Sequence, residues 1–270
     1  MEEALLRISR QLDEKRYGKY RGFVVDIADP EQRGRVRLKV PAILGDAESS
    51  WALPCLPFGG GAGFGLFVVP PVDSQVWVEF EEGDINRPIW VGTFWQTQDD
   101  VPENAAKEEP TTYLLQTPGG HRLQFDDESG EEAVTLFHSS EAQFTIDHNG
   151  SCALTDAGGS KITLDADNNE CVVEDSNGNK ITLNSSGTKV EDANGNSIEM
   201  AASGISVKGQ QIVIEGSQVA LGGQGGEPLI KGTSFLTLFA THMHPTPMGP
   251  SGPPVPQGEA SALSSKVMCS

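Results

Sequence analysis

Two histidines one residue apart, His242 and His244, are the side chains of this chain best spaced for chemistry. On an extended segment, residues i and i+2 leave the same face, so both imidazoles point one way. One chain supplies two nitrogens. Three chains meeting on an axis would supply six, a set that suits an octahedral transition ion such as iron or nickel better than tetrahedral zinc. The competing reading leaves both rings in solvent, or hydrogen-bonded in a turn before Pro245. His121, His138 and His148 are scattered over strand and turn patterns, where packing or solvation explains them. Cys55, Cys152, Cys171 and Cys269 form no CxxC pair, so their spacing supports neither a zinc nor a redox centre. No Ser/His/Asp triad or nucleophile elbow stands out. The chain therefore reads as non-catalytic, with no catalytic residue assigned.

The elements that would carry these residues repeat. Gly158-Gly159-Ser160-Lys161-Ile162-Thr163-Leu164 returns as Asn177-Gly178-Asn179-Lys180-Ile181-Thr182-Leu183, and more weakly as Asn194-Gly195-Asn196-Ser197-Ile198-Glu199-Met200. The isoleucines at 162, 181 and 198 are 19 and 17 residues apart. Fainter copies stand at Arg122–Phe125 and Gln143–Ile146. Repeats of this length indicate a stacked or wound architecture. Each run alternates with period two: Ile181 and Leu183 to one side, Lys180 and Thr182 to the other. Asn-Gly, Gly-Gly and Ser-Gly punctuate the runs. One reading is an ordinary antiparallel meander of hairpins. The other wraps three copies around one axis, each inward side chain meeting two mates. The second is the expectation, because one chain buries too few side chains per repeat to offset the ordering of its backbone. Cys152 and Cys171 occupy one column of the repeat, which has Thr188 in the third copy, and read as packing residues.

Composition narrows the partners. The 270 residues leave room for two domains. A net charge of −19, from 38 acidic and 19 basic residues, makes nucleic acid a poor partner. No apolar run approaches the roughly 20 residues of a membrane span. Met1-Glu2-Glu3-Ala4 has neither the basic nor the apolar region of a signal peptide. Synthesis in the cytoplasm is expected, with any export as part of a larger particle.

Residues 2–16 read as a short helix with Leu5, Ile8 and Leu12 on one face. From Tyr17 to Trp95 the pattern is short strands, near Tyr20–Ala28, Arg33–Val40, Trp51–Pro57, Phe64–Val69, Gln75–Phe80 and Pro88–Phe94. A small closed barrel of about five strands fits. Here specific runs accumulate: Gly22-Phe23-Val24-Val25-Asp26, Asp29-Pro30, Gly34-Arg35-Val36-Arg37-Leu38-Lys39-Val40-Pro41, Trp51-Ala52-Leu53-Pro54, Gly63-Phe64-Gly65, Val69-Pro70-Pro71, Val76-Trp77-Val78-Glu79-Phe80 and Gly83-Asp84 before Arg87-Pro88-Ile89-Trp90-Val91-Gly92. Together they resemble the OB-fold domain of the central spike of contractile tails, as in phage baseplate spikes and the valine-glycine repeat proteins of type VI secretion. Residues 17–100 carry seven Lys/Arg against twelve Asp/Glu, so the nucleic-acid role of other OB folds is not expected.

The resemblance implies an all-β homotrimer. Its parts would be an N-terminal helix or arm (1–16), an OB-fold barrel (17–97), a linker (98–118), an intertwined triple-stranded β-helix (119–232) and a Pro/Gly-rich tip (233–270). Residues 97–118 stand where some phage spikes hold a lysozyme domain, and are too short for one. The implied function is mechanical: a membrane-piercing spike within a phage virion or injection particle. Its implied partners are a separate hub protein at the barrel end, a tip-sharpening cone protein at the other, and the target cell envelope. Some spikes hold one iron per trimer at the apex through His-x-His, which implies His242 and His244 as metal ligands here. Two other classes compete. A tail-spike enzyme acting on surface glycan would need clustered carboxylates and aromatics, and aromatics are sparse after Phe144. A receptor-binding fibre would need a globular C-terminal head, which Thr246–Pro256 does not resemble.

Overall fold

The computed structural model describes residues 15–219 and 230–255. The helix read over residues 2–16 falls almost wholly outside them, as does Cys269. The chain divides into two units, residues 1–210 and 211–270.

The first unit opens with a small barrel. Strand β1 (Tyr20–Asp26) pairs antiparallel with β2 (Arg37–Lys39) and β4 (Gln75–Phe80). Strand β4 pairs with β5 (Pro88–Thr93), which runs parallel to β3 (Leu53–Pro54). Val36 and Ala52 exchange both backbone hydrogen bonds, at 3.2 and 2.8 Å, and so join the free margins of β2 and β3 into a ring. Alternation decides which side chains fill it. Val76, Val78 and Phe80 of β4 are buried, while Gln75, Trp77 and Glu79 are only half-buried. Val24, Val36, Leu38, Val40, Ala52 and Trp90 complete the core. A single helical turn, α1 (Pro41–Leu44), follows β2, with proline at its start where no amide donor is needed.

The strand expected over Phe64–Val69 is absent, and the segment folds on itself instead. Leu66 N–H donates to Phe58 O at 3.1 Å. Gly63 and Gly65 adopt φ of 79° and 143°, which no strand sustains. A Cβ on Gly65 would stand 3.0 Å from Gly59 Cα, so the loop closes only on glycine.

The rest of this unit is one antiparallel sheet of eleven strands in sequence order. They are β6 (Thr112–Gln116), β7 (Arg122–Asp126), β8 (Ala133–Phe137), β9 (Gln143–Ile146), β10 (Cys152–Thr155), β11 (Lys161–Asp165), β12 (Glu170–Glu174), β13 (Lys180–Asn184), β14 (Gly187–Glu191), β15 (Ser197–Ala201) and β16 (Gly204–Lys208). Each repeat is thus two strands and their turns. Every strand pairs with its sequence neighbour, so within one chain the region is the hairpin meander of the first sequence reading. The sheet also takes in residues 112–116, which the sequence reading gave to the linker. What remains of that linker is anchored at both ends. Asp100 accepts the backbone amides of Gln96 and Thr97 and the side-chain amide of Gln75. Asn104 donates to Gln124 at 3.0 Å, and Lys107 pairs with Glu128 at 3.3 Å.

In the second unit, residues 211–219 carry neither strand nor helix, although the expected β-helix ran through them. The apolar run at 233–240 is a helix, α2 (Gly232–Thr241). It leads to a short hairpin of β17 (Pro245–Thr246) and β18 (Gly249–Pro250).

Candidate functional surfaces

One turn design sets the register of the long sheet. In each of four turns an aspartate Oδ1 accepts the backbone amides two and four residues on. Asp147 takes Asn149 and Ser151, Asp156 takes Gly158 and Ser160, Asp175 takes Asn177 and Asn179, and Asp192 takes Asn194 and Asn196, all at 2.8–3.0 Å. The fourth residue needs positive φ, which Gly150, Gly159, Gly178 and Gly195 supply at 81–91°. His138 takes the aspartate's place in a fifth turn, its Nδ1 accepting Ser140 N–H at 3.1 Å. Thr117 does so in a sixth, its Oγ1 accepting His121 N–H at 3.2 Å. These bonds favour the ionised carboxylates. The side-chain and backbone amides of Asn179 and Asn177 hold Asp175 down to about 2, and Asp156 and Asp192 are lowered likewise. Side chains of this kind are committed to backbone geometry, a structural role.

Because the turns fix register, apolar residues line up across strands. One ladder runs Leu115, Leu123, Leu136, Phe144, Leu154, Ile162, Val173, Ile181, Val190, Ile198 and Val207. Beside it a second passes through Phe125, Val134, Ile146, Cys152, Leu164, Cys171, Leu183, Thr188, Met200 and Ile205. The sequence pattern put Ile181 and Leu183 on one face and Lys180 and Thr182 on the other, and the alternation holds. The apolar face lies open: Leu154 is 52% exposed, Ile181 39% and Ile205 73%. The opposite face carries threonines and an alternating row, Lys161, Glu174, Lys180, Glu191. The two cysteines of the repeat are free thiols in the apolar face, as packing residues would be.

At the barrel, Asp29 holds the β1–β2 turn. Its carboxylate accepts Arg35 Nε at 3.0 Å and the backbone amides of Glu31, Arg33 and Arg35, and the Arg35 guanidinium keeps it well below the usual carboxylate range. The β3–β4 loop exposes Phe58, Phe64 and Phe67, and from Cys55 to Val72 carries no charged side chain.

His242 follows α2, and its Nδ1 lies 2.5 Å from Phe239 O. Only a protonated Nδ1 can donate to that carbonyl, which leaves Nε2 as the free ligand atom. The His242 and His244 rings lie 5.1 Å apart, edge to face. His244 N–H donates to Ser251 Oγ at 2.8 Å, and Ser251 N–H returns to His244 O at 2.8 Å. The pair therefore sits on a helix end and hairpin rather than on a strand, yet its imidazoles remain neighbours. Among the described residues, no group of three or more His, Cys, Asp or Glu in one chain is arranged to hold a metal ion. The His121 and His138 rings lie 4.4 Å apart, tilted by 49°, across adjacent turns, a proximity their distance in sequence did not signal.

The ring of five strands, with β3 parallel to β5, is where comparison with known proteins becomes decisive. Residues 20–95 match the type VI secretion system/phage-baseplate injector OB domain. The matched residues span the barrel strands from β1 through β5. The chain is also similar to the type VI secretion system spike protein VgrG4b of Pseudomonas aeruginosa, with 30% identity over 109 residues, 38% of this chain and 14% of that protein. It shares 27% identity over 113 residues with the actin cross-linking toxin VgrG1 of Vibrio cholerae, 39% of this chain and 10% of that one. The chain thus spans a small fraction of the length of these relatives. Among the described residues no helix is long and apolar enough to cross a membrane.

Proposed function

We propose that three copies of this chain close their apolar faces on one another and act as the central spike of a contractile injection particle. The observation that carries this is the pair of apolar ladders, in register over eleven and ten strands and open in the single chain. A face of this length does not stay in water on a soluble protein. A single isolated sheet with one bare apolar side is also a poor independent structure. Three sheets facing one axis cover it with one identical contact each, the closed symmetry homo-oligomers favour. The acidic turns and polar face then point outward.

The work is mechanical and non-catalytic. Turn aspartates that might have formed a carboxylate pair are engaged by their own backbone. Similarity to VgrG4b supports a place at the tail end, with the barrel on a separate hub protein and the tip toward the target envelope or a cone-shaped tip protein. His242 and His244 from three chains would hold one iron or similar octahedral ion, binding through Nε2 and tying the ends together. Electron-microscope images of the purified full chain test the spike. A thin rod with one wide end is expected, and a compact globule refutes it.

A further inference from the structure

The chain holds three Asn-Gly pairs, Asn149-Gly150, Asn177-Gly178 and Asn194-Gly195, and all three fall in the aspartate-held turns of the long sheet. Such a pair is reactive because glycine has no Cβ to shield its amide nitrogen or restrict its backbone. In an open chain that nitrogen attacks the asparagine side-chain carbonyl carbon. The new N–C bond closes a five-membered succinimide, and the side-chain amino group leaves with the displaced proton as ammonia. Water then opens the ring, giving aspartate or isoaspartate. Water is the only co-reactant, and nothing is oxidised or reduced.

The folded turns oppose that attack in three ways. The nucleophile is engaged: Gly150 N–H donates to Asp147 O at 2.9 Å, and Gly178 and Gly195 N–H donate to Asp175 O and Asp192 O at 3.1 Å. The backbone angle is wrong. A bond from the fourth residue back to the first, with that fourth residue a glycine at φ of 81–88°, is a type I turn closed by a bulge glycine. Each asparagine then takes the third position, where ψ is roughly 0°. At that angle the glycine nitrogen eclipses the asparagine's own backbone nitrogen and points away from its Cβ, so the ring cannot close until the turn opens. The side chain is tied as well. Asn149 Nδ2 donates to Asp167 Oδ2 at 2.6 Å, and Asn177 and Asn194 Nδ2 donate to Asp175 and Asp192 Oδ2 at 3.4 and 3.5 Å.

We propose that Asn149, Asn177 and Asn194 are masked succinimide sites, intact while the sheet is formed and converted once their turns open. The pairs thereby mark chains that linger unfolded. Isoaspartate adds one carbon to the backbone, in the turns that set the register of the sheet, and a shifted register turns the apolar face outward. A marked chain therefore does not rebuild the sheet. The inference concerns the turns of a single chain and is independent of how many copies assemble.

Peptide mass spectrometry of the full chain, held in mildly alkaline buffer with and without urea, tests it. Asn149, Asn177 and Asn194 should convert at least about 10-fold slower in the native sample, because reaction there waits on local opening. Equal rates in the two samples overturn the proposal. Asp175→Ala removes the acceptor from one turn only. Asn177 should then convert faster in the native state, with Asn149 and Asn194 unchanged, and Asn177 as slow as in the wild type overturns the masking by the turn. If that variant does not fold, the comparison of the unaltered chain with and without urea still decides. Chains aged in urea and then diluted should regain the folded state in proportion to the asparagine left intact; full recovery after conversion contradicts the marking.

Discussion

Ile181 offers the sharpest perturbation of the apolar ladder. It stands opposite Val173 and Val190 and is 39% exposed in the single chain. Full burial of an isoleucine contributes about 1.5–3 kcal/mol, so covering the remaining share contributes roughly 0.6–1.2 kcal/mol per chain and roughly 2–3.5 kcal/mol over three. Ile181→Ala should weaken trimer association about 30- to 300-fold, at 1.4 kcal/mol per factor of ten. Ile181→Asp goes further. Three carboxylates would enter one apolar layer, each with a penalty of several kcal/mol, and no trimer should persist at micromolar concentration. The control belongs on the opposite face. Lys180→Asp is unsuitable, although the sequence alone makes it look silent: Lys180 lies between Glu174 and Glu191, and an aspartate there would set three acids in a row. Lys180→Gln avoids this and should leave association nearly unchanged. Mass photometry over a dilution series reads both variants. Equal weakening by Ile181→Ala and Lys180→Gln would mean that the ladder face is not the contact.

Three further outcomes follow from the turns, the hairpins and the tip. Gly187→Ala should lower stability by about 1–3 kcal/mol or more in thermal unfolding, through strained φ and the clash with Met200 O; a wild-type melting curve contradicts the β14–β15 geometry. Asp156, Asp175 and Asp192 are depressed in the folded state, so their contribution is complete above the unfolded carboxylate range, near pH 4, and is lost as pH falls through about 2 for Asp175. Urea midpoints should fall between pH 5 and pH 2 in the wild type and fall less in the triple Asp→Asn variant; equal slopes contradict the capping role. Elemental analysis of extensively dialysed trimer should find about one transition ion per three chains, lost in His242→Ala; metal-free trimer of unchanged melting temperature leaves both histidines as turn residues.

Much of this was legible in the residues because period-two alternation and turn chemistry are local. The barrel strands followed from runs such as Val76-Trp77-Val78-Glu79-Phe80. The repeat length equals two strands plus two turns, and Asn-Gly and Gly-Gly marked the turns, although the aspartate three residues before the second glycine or the Asn-Gly glycine did not stand out until its hydrogen bonds were visible. Other features depend on contacts that sequence does not display. Phe64–Val69 has strand-like residues, but Gly63 and Gly65 bend it back on Phe58. Strand β6 sat hidden in an acidic linker, with only Pro118-Gly119-Gly120 to signal a turn after it. The segment 233–240 shows no clear face, and its helix rests on an unbroken run without proline or internal glycine. The pairing of Lys180 with two glutamates needed the register itself.

The central claim is that three chains share one apolar core, and the mass of the native particle tests it most directly. Sedimentation velocity of the full chain at micromolar concentration should give a single species of three times 28.8 kDa, with no folded monomer, because folding and association are coupled. A folded, stable species of one chain mass at that concentration would contradict it.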